Sequence, residues 1–188
     1  MPGGILVFGA NGSGKTTLGR ELARILNFKH MDHESYAFKE SEIPYTSPRS
    51  HEECIELMLV DIKKHPGFVI SAVTGDFGNE ILSFYDLAVF LSAPIELRMN
   101  RIKQRDYERY GERICEGGDM YEQRLKFADF AATRPLSKIE QWATSLSCPV
   151  LRLDGSDEID KNVARIVDTY SPKLPSDLEV DFTRVFMR

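Results

Sequence analysis

Hydrophobic residues occur along this chain in short, uninterrupted runs that are separated by longer amphipathic segments. A run without polar alternation is typical of a strand buried on both faces of a parallel sheet. The pattern predicts five strands, at residues 5–9 (ILVFG), 28–32 (FKHMD), 67–73 (GFVISAV), 87–93 (LAVFLSA) and 149–154 (PVLRLD).

The segments between the strands carry apolar residues at helical spacing. Residues 15–27, for example, place Leu18, Leu22 and Leu26 on one face. Further helices are predicted over 51–65, with a capping box of Ser50 and Glu53, over 95–111 after Pro94, over 119–134 and 136–146 on either side of Pro135, and over 156–170 with Ser156 or Asp157 as cap.

Strands and helices alternate from end to end, and this order predicts an α/β protein with one parallel sheet between two layers of helices. We expect a single domain over residues 1–170 and a C-terminal tail over 171–188. The end of that tail, VDFTRVFMR, is apolar enough to dock on a surface.

Composition narrows the class of protein. The chain has 188 residues, of which 42% are hydrophobic and 28% charged, as is ordinary for a globular protein. No run approaches the ~18 apolar residues of a membrane span, and the N-terminus has no basic region of a signal peptide, so we expect a cytoplasmic protein. The net charge of −5 argues against a general nucleic-acid binder. Three cysteines, Cys54, Cys115 and Cys148, are too scattered for a disulfide framework or a zinc site.

The turn between the first strand and the first helix carries the clearest chemistry. Gly9, Gly14, Lys15 and Thr16 fit the P-loop pattern G-x-x-x-x-G-K-[ST]. Its glycines let main-chain amides point at phosphate oxygens, and the helix that follows offers its positive end to the same anion. Lys15 is predicted to reach the terminal phosphates, and the Thr16 hydroxyl to hold Mg²⁺. The remaining predicted nucleotide contacts of the loop are Asn11, Gly12, Ser13 and Thr17.

Switches, motors and kinases share this turn, so other segments must decide between them. The guanine-reading N-K-x-D and the D-x-x-G of GTPases do not occur in the sequence, and no apolar strand ends in the Asp-Glu of motor ATPases. A stripe of four arginines, Arg98, Arg101, Arg105 and Arg109, lies on one face of the helix over 95–111. Such a stripe favours a lid that compensates the charge of a moving phosphoryl group, and a solvated helix with local ion pairs is the alternative.

Together these segments resemble the adenylate kinase and shikimate kinase group over residues 4–170. The resemblance implies a three-layer sandwich with strand order 2-3-1-4-5 and an arginine-rich lid at about 105–120. It implies that Arg101 stacks on adenine, that Arg105 and Arg124 contact phosphates, and that Asp154 and Gly155 lie beside the adenine. The stretch YGERICEGGDMYEQRLKF also resembles bacterial proteins labelled AAA-family ATPases or DNA topology modulation proteins.

The acceptor side is expected after the second and third strands. Asp32 and Glu34 stand where shikimate kinases carry Asp-x-Asp, which implies a magnesium contact for Asp32 and an acceptor contact for Glu34. Gly75 and Asp76 follow the third strand, and Arg49 is a candidate to hold an acidic acceptor. The two histidines of this region, His30 and His33, are interpreted as surface residues, because no cluster of Cys or His completes a metal site.

The resulting hypothesis is an ATP-dependent phosphotransferase that uses Mg²⁺ and acts on a small-molecule acceptor. Lys15 and Arg105 stabilise the transferring group, and Asp32 orients or deprotonates the acceptor. The alternative is a nucleotide-dependent switch or a DNA-associated ATPase with no small acceptor. Both a monomer and a homodimer agree with the sequence.

Overall fold

A computed structural model describes residues 3–171 and contains one five-stranded sheet in which all strands are parallel. The order is β2-β3-β1-β4-β5, which confirms the predicted fold and strand order. The central strand β1 pairs with β3 through Val7 and Ser71 and with β4 through Val7 and Val89. The strands are β1 (Gly3–Phe8), β2 (Lys29–Asp32), β3 (Gly67–Ala72), β4 (Tyr85–Ser92) and β5 (Val150–Asp154).

Helices cover both faces of the sheet, as the alternating pattern predicts. Leu22 of α1 and Val163 of α8 are buried against one face, and Met58 of α3 and Ile139 of α7 against the other. The helices are α1 (Lys15–Leu26), α2 (His33–Ala37), α3 (His51–Lys64), α4 (Asn79–Leu82), α5 (Ile95–Tyr110), α6 (Tyr121–Thr133), α7 (Leu136–Ala143) and α8 (Ile159–Tyr170), with a 3₁₀ turn at Gly111–Ile114.

Helix ends show where local chemistry determines the structure. The capping box of α3 forms as predicted, because Ser50 Oγ accepts from the Glu53 amide at 3.1 Å and Glu53 Oε2 accepts from the Ser50 amide at 2.9 Å. The cap predicted for α8 is wrong. That helix begins at Ile159 after Glu158, and the Ser156 amide and hydroxyl both donate to Asp154 Oδ1 instead.

The short helices α2 and α4 are absent from the sequence prediction, because five and four residues are too few to show a helical period. Helix α2 begins directly after β2, where Asp32 Oδ1 accepts a hydrogen bond from the Glu34 amide at 3.3 Å. Both carboxylates are thereby placed at the carboxyl end of the sheet, beside the turn that follows β1. This edge is where parallel α/β sheets form their binding sites.

Within residues 3–171, no helix is long and apolar enough to span a membrane. The tail predicted for residues 171–188 lies outside the described residues from 172 onward.

Candidate active site

The turn between β1 and α1 adopts a conformation that requires glycine. Gly12 and Gly14 have φ angles of 80° and 102°, in the left-handed region that side chains disfavour. A Cβ at Gly12 would press on the main chain of Arg98, so the loop and α5 approach each other as closely as a glycine allows. Gly14 is the residue that precedes α1, and it points the first turn of that helix into the cleft.

The loop fits a chain of phosphates. The first N–H groups of α1 have no partner within the helix, and the first turn of α1 carries no acidic residue. The Oγ of Ser13 is buried and has no hydrogen-bond partner among the described residues. Backbone amides, a helix N-terminus and an unused hydroxyl thus converge where an anion can satisfy all of them.

Lys15 is held in the cleft by its own loop. Its Nζ donates to the Ala10 carbonyl at 2.8 Å. Burial lowers the pKa of Lys15 from 10.5 to about 8, against the charges of Glu34 and Asp32, which raise it. The cations Arg134 and Arg105 lower the pKa further. Lys15 therefore lies within reach of both the carboxylates and the arginines of one cleft.

That cleft has a volume of about 1290 Å³ and runs from the P-loop to the ends of β2 and β3. Fourteen of the predicted site residues line it: Asn11, Gly12, Ser13, Gly14, Lys15, Thr16, Thr17, Asp32, Glu34, Asp76, Arg101, Arg105, Arg124 and Gly155. Four others, Gly9, Arg49, Gly75 and Asp154, stand outside the lining as the described residues define it.

The position of Arg49 does not support its predicted contact with an acceptor. Its Nη1 donates to the carbonyls of Ser35, Tyr36 and Phe38 at 3.1, 2.9 and 2.5 Å. The guanidinium thus connects the segment before α3 to the main chain at the end of α2, which is a structural role. The sequence shows the charge of this residue but not the carbonyls that surround it.

Gly75 and Asp154 lie outside the cleft lining of the described residues, and their roles stay predictions. Gly75 is buried, its carbonyl accepts from the Tyr85 hydroxyl at 3.2 Å, and a Cβ there would press on Leu6. Asp154 is exposed and uses its carboxylate on Ser156. Gly155 and Asp157 of this loop line the cleft, and the Gly155 amide donates to the Ser92 carbonyl at 2.6 Å.

The arginine stripe of α5 divides into different environments. Arg98 is 2% exposed and donates to the carbonyls of Asn11 and Ala131 at 3.2 and 3.4 Å, so it supports the P-loop from behind and is no part of a lid. Arg101 donates to the Gly155 carbonyl at 2.9 Å and to the Ser13 carbonyl at 3.4 Å, which joins the loop after β5 to the P-loop. Arg105 and Arg109, which follow Arg101 in the stripe, also line the cleft.

The lid segment predicted at about 105–120 comprises the end of α5, the 3₁₀ turn and the link to α6. It contacts the loop between α2 and α3 on the far side of the cleft. Arg113 Nη2 donates to the Glu42 carbonyl at 3.3 Å, and Gln123 Nε2 donates to the Pro44 carbonyl at 3.0 Å. Two contacts therefore join the loop between α2 and α3 to this part of the chain, one from the lid segment and one from α6.

One cleft arginine is missing from the sequence prediction. Arg134, at the end of α6, donates from Nη1 to Asn11 Oδ1 at 3.1 Å, and its guanidinium lies 4.7 Å from the centre of the Phe130 ring. It faces Lys15 closely enough that its charge lowers the lysine pKa. In this part of the sequence only Pro135 carries a recognisable signal, as the residue that ends the helix.

Histidine and aromatic side chains contribute more to the acceptor side of the cleft than the sequence predicts. His33 is half-buried, lines the cleft and packs on Phe77 with ring centroids 4.7 Å apart, and burial lowers its pKa. The Nε2 of His30 lies 3.0 Å from Ser71 Oγ. Both histidines are partly exposed, and among the described residues neither belongs to a group that could hold a metal ion. Tyr45, with a pKa raised to about 12 chiefly by burial, lines the same side.

Within the described part of the chain, no three His, Cys, Asp or Glu residues form a group that could hold a metal ion. A P-loop magnesium site needs fewer protein ligands, because phosphate oxygens and water complete the coordination. Thr16 and Asp32 both line the cleft and supply a hydroxyl and a carboxylate. Their chemistry fits Mg²⁺, which prefers oxygen ligands.

This geometry agrees with the comparisons to known proteins. A family model described as an AAA domain, AAA_18, matches residues 5–126. The chain belongs to the AAA_18 family. A relative in Bacillus subtilis (strain 168), the uncharacterized protein YqaC, is 30% identical to this AAA_18 chain over 179 residues, which span 91% of the chain and 99% of YqaC.

Solved structures share the fold of this AAA_18 chain. Shikimate kinase from Acinetobacter baumannii is similar with a TM-score of 0.53 and 19% identity, over 93% of this chain and 97% of that one. A sugar kinase from Janibacter sp. HTCC2649 is similar with a TM-score of 0.52 and 16% identity, over 89% and 94%. The protein therefore has the P-loop, kinase-like nucleotide-binding fold.

Proposed function

We propose that this protein is a cytoplasmic ATP-dependent phosphotransferase that moves the γ-phosphate of ATP to a hydroxylated small molecule such as a nucleoside, nucleotide or metabolite. One observation carries the proposal. The P-loop lysine shares a single cleft with two carboxylates, Asp32 and Glu34, and with several arginines whose charges act on the same lysine or line the same cleft. The names of its structural neighbours, a shikimate kinase and a sugar kinase, support the same class.

The donor side follows from the P-loop. The amides of the first turn of α1 and the Lys15 ammonium would bind the phosphates of ATP, and the Ser13 hydroxyl would gain a partner. Thr16 and Asp32 would hold Mg²⁺, which neutralises phosphate charge when it is bound. Arg101 and Gly155 would border the base.

The acceptor side follows from the acids. Asp32 would orient or deprotonate the acceptor hydroxyl, with Glu34 and Asp76 beside it in the cleft. Arg105, Arg124 and Arg134 would face the negative charge that spreads over the moving phosphoryl group. The contacts of the lid and of α6 with the loop of residues 38–49 would limit the access of water, and thereby the loss of ATP to hydrolysis.

A coupled ADP-release screen tests this function over nucleosides, nucleotides, sugars and shikimate-like acids. We expect one acceptor class to raise ADP release, and Lys15→Met to lower that rate by about 100-fold or more, since it removes a charge that faces the transferring group. Arg24→Ala, which removes an ion pair of α1 outside the cleft lining, is the control and should retain the rate.

Two results would contradict the proposal. Acceptor-dependent turnover that survives in Lys15→Met would remove the P-loop from the mechanism. Slow ATP hydrolysis that no acceptor accelerates, together with salt-sensitive retention on DNA, would favour a nucleotide-dependent switch or DNA-associated ATPase.

A further inference from the structure

A single buried carboxylate connects two arginines of the cleft. Asp106 of α5 is 4% exposed. Its Oδ1 accepts from Arg105 Nε at 3.1 Å and from Arg105 Nη2 at 2.9 Å, and its Oδ2 accepts from Arg124 Nη2. Both arginines line the cleft, whereas Asp106 stands behind them, outside the lining as the described residues define it.

Without this carboxylate the two guanidiniums would repel each other. Arg124 is 8% exposed, and its pKa is lowered first by burial and then by the charge of Arg105. Asp106 offsets one of the two positive charges, so the three residues keep a net charge of one positive unit toward the cleft. A buried ion pair of this kind is better explained by the geometry it imposes than by the stability it adds.

The remaining surroundings of Arg124 fix its orientation and leave donor capacity unused. Its guanidinium lies 4.6 Å from the centre of the Phe127 ring and 5.7 Å from that of Tyr110. Its Nε is buried and has no hydrogen-bond partner in the described residues. Glu34 and Tyr45 line the same cleft, and the charge of Glu34 raises the pKa of Arg124.

We propose that Asp106 is a positioning residue that holds Arg105 and Arg124 side by side, so that both bind one anionic group in the cleft. The proposal rests on the proposed function for the identity of that group, a phosphate of the donor or of the acceptor. It differs from a simple electrostatic role, because a carboxylate acting only through its charge would weaken anion binding, and its removal would strengthen it.

The test uses inorganic tripolyphosphate as the anion and isothermal titration calorimetry as the readout, so that no acceptor or turnover is required. Dissociation constants are measured for the wild type, Arg105→Ala, Asp106→Asn and the double variant. We expect Arg105→Ala to weaken binding by about tenfold in the wild type, as for a charge-assisted hydrogen bond, and by less than about twofold in the Asp106→Asn background.

The outcomes separate the explanations. An equal loss from Arg105→Ala in both backgrounds would show that Asp106 acts only through its charge, and no loss in the wild type would show that Arg105 does not bind the anion. Either result overturns the proposal. Glu21→Gln is the matched control, because it neutralises a carboxylate that pairs with an arginine, Arg24, outside the cleft and should leave the constant unchanged.

A second variant covers the case in which Asp106→Asn does not fold, since it leaves the buried Arg124 without its counterion. Asp106→Glu retains the charge but displaces the carboxylate by one methylene, and the same comparison with Arg105→Ala applies to it. Binding of tripolyphosphate is independent of catalysis. If no acceptor raises ADP release but the effect of Arg105→Ala still depends on Asp106 (the coupling of the two residues), the proposed function alone is rejected. Lost coupling with intact turnover would reject the role of Asp106 alone.

Discussion

We predict that Lys15 becomes protonated when ATP binds. In the free protein, burial holds the pKa of Lys15 at about 8, so at pH 8 about half of the molecules carry a neutral lysine. The negative phosphates would favour the ammonium form and raise that pKa. Binding is then expected to take up about 0.1 proton at pH 7, about 0.5 at pH 8 and about 0.9 at pH 9.

The same linkage sets the affinity. If the ammonium form binds ATP, the affinity falls as pH rises through the pKa of the free protein. A pKa of about 8 makes binding about tenfold weaker at pH 9 than at pH 7, which corresponds to ~1.4 kcal/mol. Other groups contribute little above pH 8. The second pKa of a phosphoryl group lies near ~6, the His33 pKa is lowered by burial, and Tyr45 has a pKa of about 12.

Calorimetry measures the uptake directly. ATP is titrated at pH 7, 8 and 9 in buffers that differ in ionisation enthalpy, and the dependence of the observed heat on that enthalpy gives the number of protons. Lys15→Met is the control, and the uptake should vanish in it. An uptake near zero at pH 8 in the wild type, or an equal uptake in Lys15→Met, would refute the reasoning.

Three other predictions follow from single contacts. The pKa of Lys15 is lowered from 10.5 to about 8, so below pH 8 its charge destabilises the folded state by up to ~3 kcal/mol. Urea denaturation without nucleotide should therefore find Lys15→Met more stable than the wild type at pH 7. The difference in unfolding free energy should disappear by pH 10.5. Arg134→Ala should lower turnover by about 10-fold to 100-fold with little change in melting temperature, because it removes a cation that faces Lys15; unchanged kcat would contradict this. Ser50→Ala should cost ~1 kcal/mol in unfolding free energy and leave turnover intact; a loss of activity would contradict its purely structural role.

The sheet could be predicted because its information is local. The three central strands β1, β3 and β4 are apolar runs largely buried on both faces and need no partner to be recognised, whereas the edge strands β2 and β5 are only partly buried. The P-loop is also local, since a few adjacent residues supply the whole phosphate cradle. By contrast, α2 and α4 contain too few residues to show a helical period. The start of α8 was mispredicted because Ser156 donates to the Asp154 carboxylate and does not cap the helix.

The cleft beyond the P-loop could be predicted only in part, because it is assembled from residues far apart in the chain. Arg134 meets Asn11 across 123 positions, and Asp106 meets Arg124 across 18. No spacing rule connects such pairs before the chain is folded. A helical stripe predicts which arginines share a face, but it does not predict which of them meets a carbonyl, a carboxylate or the open cleft.

The partner of each guanidinium therefore carries more functional information than its position in the stripe. Arg49 and Arg98 donate to main-chain carbonyls, which cannot move without the fold, so these arginines hold structure. Arg105 and Arg134 donate to side chains, a carboxylate and an amide, and a phosphate can replace or join such partners at little structural cost. Arg101 shares features of both groups, because it lines the cleft and yet joins the Ser13 and Gly155 carbonyls. By this reasoning its main task is to hold the two loops that would border the nucleotide, and its loss should affect nucleotide affinity more than turnover.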